Sequence, residues 1–316
     1  MTDEIISRSD LATGILQEYL NRKVIDNLDL SCKFVQFGEK PVVQDGYNTI
    51  RWATFTRLTG TSGTAITEGT NPDAVDFDAS SVTASPSQYG LVVKLTDLTM
   101  SNTVIPFLRG AAERIGVAMA ELIDLGVQAT ILGTASNIKY GPTFARATGT
   151  AVISTDIATG ASLAKWYAFL KNKGALPFDA DGSYVAIVSE EVAYDLKTDT
   201  ATGGWIDTAK YSVPEKLFAG EIGKLHGIRI VTSNNITTTT GSATGTIITY
   251  PCYVFGKGAY GVANWQNLEI MISPDTCSTA NPLNLYRSIG AKVAFGTQVL
   301  QQDALLIVEV AGTSIA

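Results

Sequence analysis

TVIPFLRGAAERIGVAMAELIDLGVQATILG, residues 103–133, is the longest helical pattern in the chain. Leu108, Ala112, Ile115, Met119, Leu122 and Ala129 recur at three- and four-residue steps, which puts them on one face. Arg109, Glu113, Glu121, Asp124 and Gln128 fall on another, so the spacing predicts an amphipathic helix. Thr103 is placed to cap it, Pro106 is acceptable only in a first turn, and Gly133 supplies a stop. At about 1.5 Å per residue such a helix runs roughly 45 Å, more than the core of a small domain requires. Gly110, Ala111, Gly116, Ala118 and Ala120 leave flat patches that another backbone can approach closely. The ionised side chains of Arg109, Glu113, Arg114, Glu121 and Asp124 argue against a membrane span.

On the N-terminal side of this helix, residues 51–99 read as one long hairpin. RWATFTRL, residues 51–58, alternates as a strand, and QYGLVVKL, residues 88–95, reads as its returning partner. About thirty residues of Thr, Ser, Gly, Ala and Asp separate them, and a loop of that length inside a domain is usually functional. Residues 59–93 contain no Lys or Arg, only the acids Glu68, Asp73, Asp76 and Asp78. Such a stretch suits ordering against a basic surface of another subunit. Residues 1–50 read as an arm. Leu11, Ile15, Leu16, Tyr19 and Leu20 mark a short amphipathic helix with Ser9 or Asp10 as cap, and Gly38, Pro41 and Gly46 prevent regular structure in the rest of the arm.

On the C-terminal side, residues 161–172 predict a second helix with Leu163, Trp166, Tyr167 and Leu170 on its apolar face, stopped by Gly174. Residues 183–275 read as a separate α/β lobe. Its strands fall at 184–188, 227–231, 246–250 and 252–255, its helix at 190–196, and a polar surface loop at 236–241. The chain returns to β structure at 285–298 and 304–310. The run from Leu305 to Val308 is apolar on both faces, as for a central strand, and is expected to pack with the first lobe.

Composition points to a covered surface. Of 316 residues, 45% are hydrophobic and only 17% charged, which fits a chain whose surface is hidden by other copies of itself. A net charge of −7 and the lack of any Lys/Arg run exclude a face built to grip nucleic acid. Cys32, Cys252 and Cys277 are scattered and odd in number, and read as small buried hydrophobes. MTDEIISRSD has no basic start with an apolar core, so no secretory signal is expected there.

No catalytic, cofactor or metal site is read in this sequence. GKGAYG, residues 256–261, matches G-x-G-x-x-G, but a dinucleotide site needs a helix behind it, and VANWQNLEI runs on as a strand. A glycine-rich turn is the better account, with a nucleotide-dependent oxidoreductase as a remote alternative. Asp179 and Asp181 open like a calcium loop, but Tyr184 stands where the sharp turn needs glycine. His226, the one histidine, precedes a strand with no nucleophile motif nearby and reads as a turn residue.

The series of arm, long two-stranded loop, long helix, inserted α/β lobe and closing β segment resembles the major capsid protein of tailed bacteriophages. Within that group it is similar to the coat-protein family of N4-like podophages. The likeness is carried by RWATFTRLTGTSGTAITEGTNPD (51–73), SQYGLVVKLTDLTMSNTV (87–104), GEIGKLHGIRIVTSNN (220–235) and YVFGKGAYGV (253–262), and extends from about residue 10 to 310.

The resemblance implies an α+β fold of the tailed-phage capsid type. Residues 1–50 would be the N-arm and 51–99 the extended loop, or E-loop. Residues 100–159 and 276–316 would form the peripheral domain, with 103–133 as its spine helix, and 160–275 the axial domain. It implies other copies as partners, in hexamers and pentamers, together with a portal, a separate scaffolding protein and double-stranded DNA held by confinement. It places the protein in the virion, assembled in the host cytoplasm, with no cofactor and no membrane. Candidate inter-subunit contacts are Leu11, Ile15, Tyr19, Ile66, Glu68, Asp73, Asp76, Asp78, Arg109 and Glu113. Some relatives join a loop lysine to an asparagine of a neighbour; residues 59–93 have no lysine, so no such bond is expected from them. An encapsulin-like nanocompartment shell, loading an enzyme cargo, is the alternative of the same fold.

Overall fold

The computed structural model describes residues 33–42, 48–55, 66, 68–69, 71, 79–97, 107–179, 181–201, 204, 221–241, 247–273 and 281–313. The expected helix around Leu11–Leu20, and Cys32, Cys277, Thr103 and Pro106, lie outside them.

The larger sheet takes most of its strands from the expected α/β lobe and two, Ile138–Tyr140 and Leu305–Ala311, from outside it. Its strands run in the order β4 (Ile138–Tyr140), β12 (Leu305–Ala311), β9 (Ile247–Phe255), β5 (Tyr184–Val188), β7 (Ile228–Thr232) and β6 (Glu221–Leu225), with β8 (Thr239–Gly241) beside β9. Pairs β5–β7 and β12–β4 are parallel, the others antiparallel. β5 and β12 are buried along their whole length, as continuous apolar runs require. Helix α3 (Gly160–Lys173) buries Leu163, Trp166 and Leu170. Its capping box joins Thr159 to Ser162, and Gly174 in the left-handed region closes it. Helix α4 (Glu190–Thr198) is capped by Ser189.

Three strand assignments differ from the sequence reading. The two segments expected at 246–250 and 252–255 are one strand, continuous through Pro251. Ladder alternation with β12 turns the Pro251 nitrogen toward the gap between β8 and β5, where no strand needs its missing donor. Thr239–Gly241, expected as loop, pairs with β9. The closing strand β12 sits between β9 and β4 in the seven-stranded sheet and does not belong to the first lobe. Its apolar character was read correctly, but periodicity cannot name a strand's neighbours.

The second sheet has the order β10 (Tyr260–Ile272), β11 (Tyr286–Val299), β3 (Ser87–Thr96), all antiparallel. The long helix α2 (Phe107–Thr134) lies across it. Gly126 lets the Phe295 ring approach so closely that a Cβ there would stand 2.9 Å from it, and Thr297 donates to Thr130 at 2.7 Å. The buried face of α2 is Ala112, Ile115, Met119, Ala120, Ile123, Val127 and Ile131. Asp124 and Gln128, assigned by spacing to the polar face, are each only 1% exposed, while Ala129 is exposed. The segment 110–134 is long and apolar enough to cross a bilayer, but half of it is packed inside this fold.

The expected hairpin over 51–99 is corrected. β1 (Ile50–Phe55) pairs with β2 (Ala79–Ala84), from Ile50 opposite Ala84 to Phe55 opposite Ala79. The segment expected as its partner, β3, belongs to the helix-backed sheet, aligned with β11 from Tyr286 opposite Thr96.

Candidate assembly surface

Two buried polar side chains on α2 fasten neighbouring segments to it. Asp124 Oδ1 accepts the backbone N–H of Phe34 at 3.0 Å, capping the five-residue helix α1 (Lys33–Phe37) from a distant part of the chain. Tyr260 donates to the Phe34 carbonyl at 2.6 Å, so this residue is gripped at both its backbone groups. The Phe34 ring is fully buried, edge-on to Tyr253. Burial raises the Asp124 carboxyl from 3.8 to about 6, against the lowering effect of the Phe34 amide. Gln128 accepts from the Thr237 amide at 2.9 Å and donates to the Asn235 carbonyl at 3.3 Å, tying the loop after β7 to the helix.

From α1 the chain passes along β10. Glu39 N–H donates to the Tyr260 carbonyl at 3.0 Å and Val262 N–H to the Glu39 carbonyl at 2.9 Å. It then enters the β1–β2 ribbon, a sheet of two strands among the described residues. Trp52 anchors the ribbon's base: its ring lies over Gly261, where a Cβ would stand 2.8 Å away. Beyond the base the side chains face solvent, Phe55 at 64% exposure. Two-stranded ribbons of this size are marginal in water without a partner.

The glycine-rich segment 256–261 connects the two sheets. Gly256 passes so close to the Leu176 carbonyl that a Cβ there would sit 2.3 Å from its oxygen. Gly258 adopts φ +71, and Gly261 already lies inside β10 beneath Trp52. The next element is a strand and not a helix, so the geometry of a dinucleotide site is not formed there. Asp179 accepts from Ser183 at 3.2 Å and pairs with Arg229 Nε at 2.7 Å, joining its turn to β7. His226 and Gly227, both at positive φ, form the two-residue turn between β6 and β7.

The sequence-derived contact candidates divide accordingly. Leu11, Ile15, Tyr19, Asp73, Asp76 and Asp78 lie outside the described residues. Ile66, 75% exposed, and Glu68, also exposed, belong to the connection between β1 and β2. Arg109 lies in the first turn of α2, and Glu113 is half-buried one turn on. Sequence reasoning missed Phe55, Leu91 and Val92, all exposed apolar side chains on this surface. The signal available was the apolar content of β1 and β3, which by itself does not say what covers each side chain.

The family model described as phage capsid protein matches residues 79–272, well over half of the chain. A search of curated proteins gives no match. Among solved structures, the capsid asymmetric unit of cyanophage Pam1 aligns at a TM-score of 0.66 with 17% identity, covering 84% of this chain and 85% of that one. The capsid of Ralstonia phage GP4 aligns at 0.65 with 14% identity over 88% and 86%. The acidic stable capsid structure of Helicobacter pylori bacteriophage KHP30 aligns at 0.66 with 12% identity over 90% of both chains. Free-standing ribbon, helix-backed sheet and α/β lobe are thus found in a chain that belongs to the phage capsid protein family.

Proposed function

We propose that this chain is the major capsid protein of a tailed bacteriophage related to the N4-like podophages. Its copies assemble as hexamers and pentamers into an icosahedral shell, in the host cytoplasm, around double-stranded DNA. The ribbon is the E-loop and residues 1–50 the N-arm. The helix-backed sheet with α2 as spine is the peripheral domain. The seven-stranded sheet with α3 and α4 is the axial domain, to which β12 is now assigned. The observation that carries this reading is the ribbon, two paired strands anchored at Trp52 whose apolar side chains Phe55, 64% exposed, and Ile66, 75% exposed, suit contact with a neighbouring copy. A net charge of −7 suits a wall that confines DNA without binding it. A portal and a separate scaffolding protein complete the set of partners, and the chain itself carries no catalytic role.

Sedimentation velocity of the purified protein, with negative-stain images of the fast fraction, tests this. Megadalton particles or rings of five and six subunits are expected. A chain that stays monomeric both alone and when co-produced with the scaffolding protein of its own phage would overturn it.

A further inference from the structure

The sheet edges of this chain are treated unequally. β4, at one edge of the large sheet, is three residues long and bridged at Tyr140 by Arg146. β6, at the other edge, is five residues long with a register shift between Glu221 and Gly223. β10 is bulged at two places, and Glu39 covers its start by a parallel bridge to Gly261. These are ordinary ways of preventing unwanted strand addition. Among the described residues β3 has none of them. It runs ten residues without a register shift and without proline, and Lys94 is its one charged side chain.

The direction of its free backbone groups is set by the ladder. Asp97 N–H donates to the Leu285 carbonyl, one step beyond the pair Thr96–Tyr286. Antiparallel alternation therefore bonds Leu95, Val93, Leu91 and Tyr89 to β11 and turns the amides and carbonyls of Gln88, Gly90, Val92 and Lys94 outward. All four outward residues are exposed, Val92 at 62%.

We infer that this edge of β3 is an intermolecular strand-addition site, taking an extended segment of a second copy of this chain. The inference rests on the shell-forming reading above. A second copy is the occupant because a long, straight, unprotected edge is tolerated only where a partner regularly covers it, and shell subunits meet copies of themselves. Charge agrees. Lys94 lies at the edge, its ammonium 5.0 Å over the Tyr286 ring, while residues 59–93 of a neighbour offer carboxylates and no cation. Main-chain bonds supply the contact, as they do wherever an extended segment joins a sheet edge.

The test is Val92→Pro against Val92→Ala. Proline at 92 deletes an outward N–H and leaves the bonds to β11 in place; alanine removes the side chain and keeps the amide. Shell yield is expected to fall at least about tenfold in the proline variant and to remain near wild type in the alanine variant. Hydrogen exchange on wild-type protein provides the second measurement. The amides of Gly90, Val92 and Lys94 should slow by roughly a hundredfold or more on assembly, whether or not the proline variant folds. Wild-type shells in which those amides exchange as in the free subunit, or shells formed normally by folded Val92→Pro, would overturn the inference alone. Failure of the wild type to assemble at all would overturn the shell reading together with it.

Discussion

Asp124, in the middle of the long helix α2, caps the Phe34 amide ninety residues upstream at 3.0 Å and is itself only 1% exposed. Burial raises this group from 3.8 to about 6. The folded state therefore binds a proton more readily than the unfolded chain. The associated stability is fully present below 3.8 and is lost as pH rises through about 6. Over that window the change is on the order of 3 kcal/mol. Subunits should melt at a higher temperature at pH 5 than at pH 7. Asp124→Asn keeps an acceptor for Phe34 but cannot titrate, so its melting temperature should change less over the same range. Equal pH dependence in both proteins would refute the assignment.

Much of the fold was legible because single elements report their own burial. β5, α3 with its Gly174 stop, α4 and the start of β7 fall within a few residues of their expected positions. Which strands meet was not legible. QYGLVVKL has the pattern of a partner for RWATFTRL, yet Val93 bonds to Ile289, almost two hundred residues away. Asp124 and Gln128 were misassigned for a related reason. Polarity predicts exposure only until a buried backbone group needs a partner, and here Phe34 and Thr237 supply one each. Of the proposed assembly surface, composition singles out the acidic stretch and Ile66 as candidates, whereas the edge of β3 can be named only once the pairing is known.

Gln302 closes the far end of the spine helix. Its Nε2 donates to the Thr134 carbonyl at 2.8 Å and its Oε1 accepts from the Ser136 amide at 2.9 Å. Gln302→Ala should cost about 1–2 kcal/mol in urea unfolding, the scale of the partly exposed bonds to Thr134 and Ser136 that it removes. Gln302→Glu should be no better. It keeps the acceptor, loses the donor and adds a negative charge at a helix C-terminus. A glutamate variant as stable as wild type would mean that Thr134 does not depend on this side chain.

Arg229 and Asp179 are unequally buried, with side chains 9% and 24% exposed. Removing one member of such a pair costs most when the survivor is the more buried charge. Asp179→Ala should therefore destabilise more than Arg229→Met, by roughly 3 kcal/mol against 1–2 kcal/mol. The reverse order in chemical denaturation would show that the arginine is held by its other surroundings.

The anchoring of the ribbon is open to a single-atom test. Gly261 leaves room for the Trp52 ring, and a Cβ at that position would stand 2.8 Å from it. The Trp52 Nε1 is buried without a hydrogen-bond partner, so packing alone holds the ring in place. Gly261→Ala should displace it and cost about 1–3 kcal/mol, the usual range for overpacking. The loss falls at the base of a ribbon whose strands pair only with each other among the described residues, so the effect should be local. Trypsin should cut at Arg51 faster in the variant than in wild type, while the interior of the α/β lobe stays resistant. Shell yield should drop with it, because a swinging ribbon meets its neighbour in the right geometry less often. Unchanged cleavage at Arg51 would mean that the ribbon is positioned by something other than Trp52, and the pairing of Ala84 with Ile50 would then be the next contact to break.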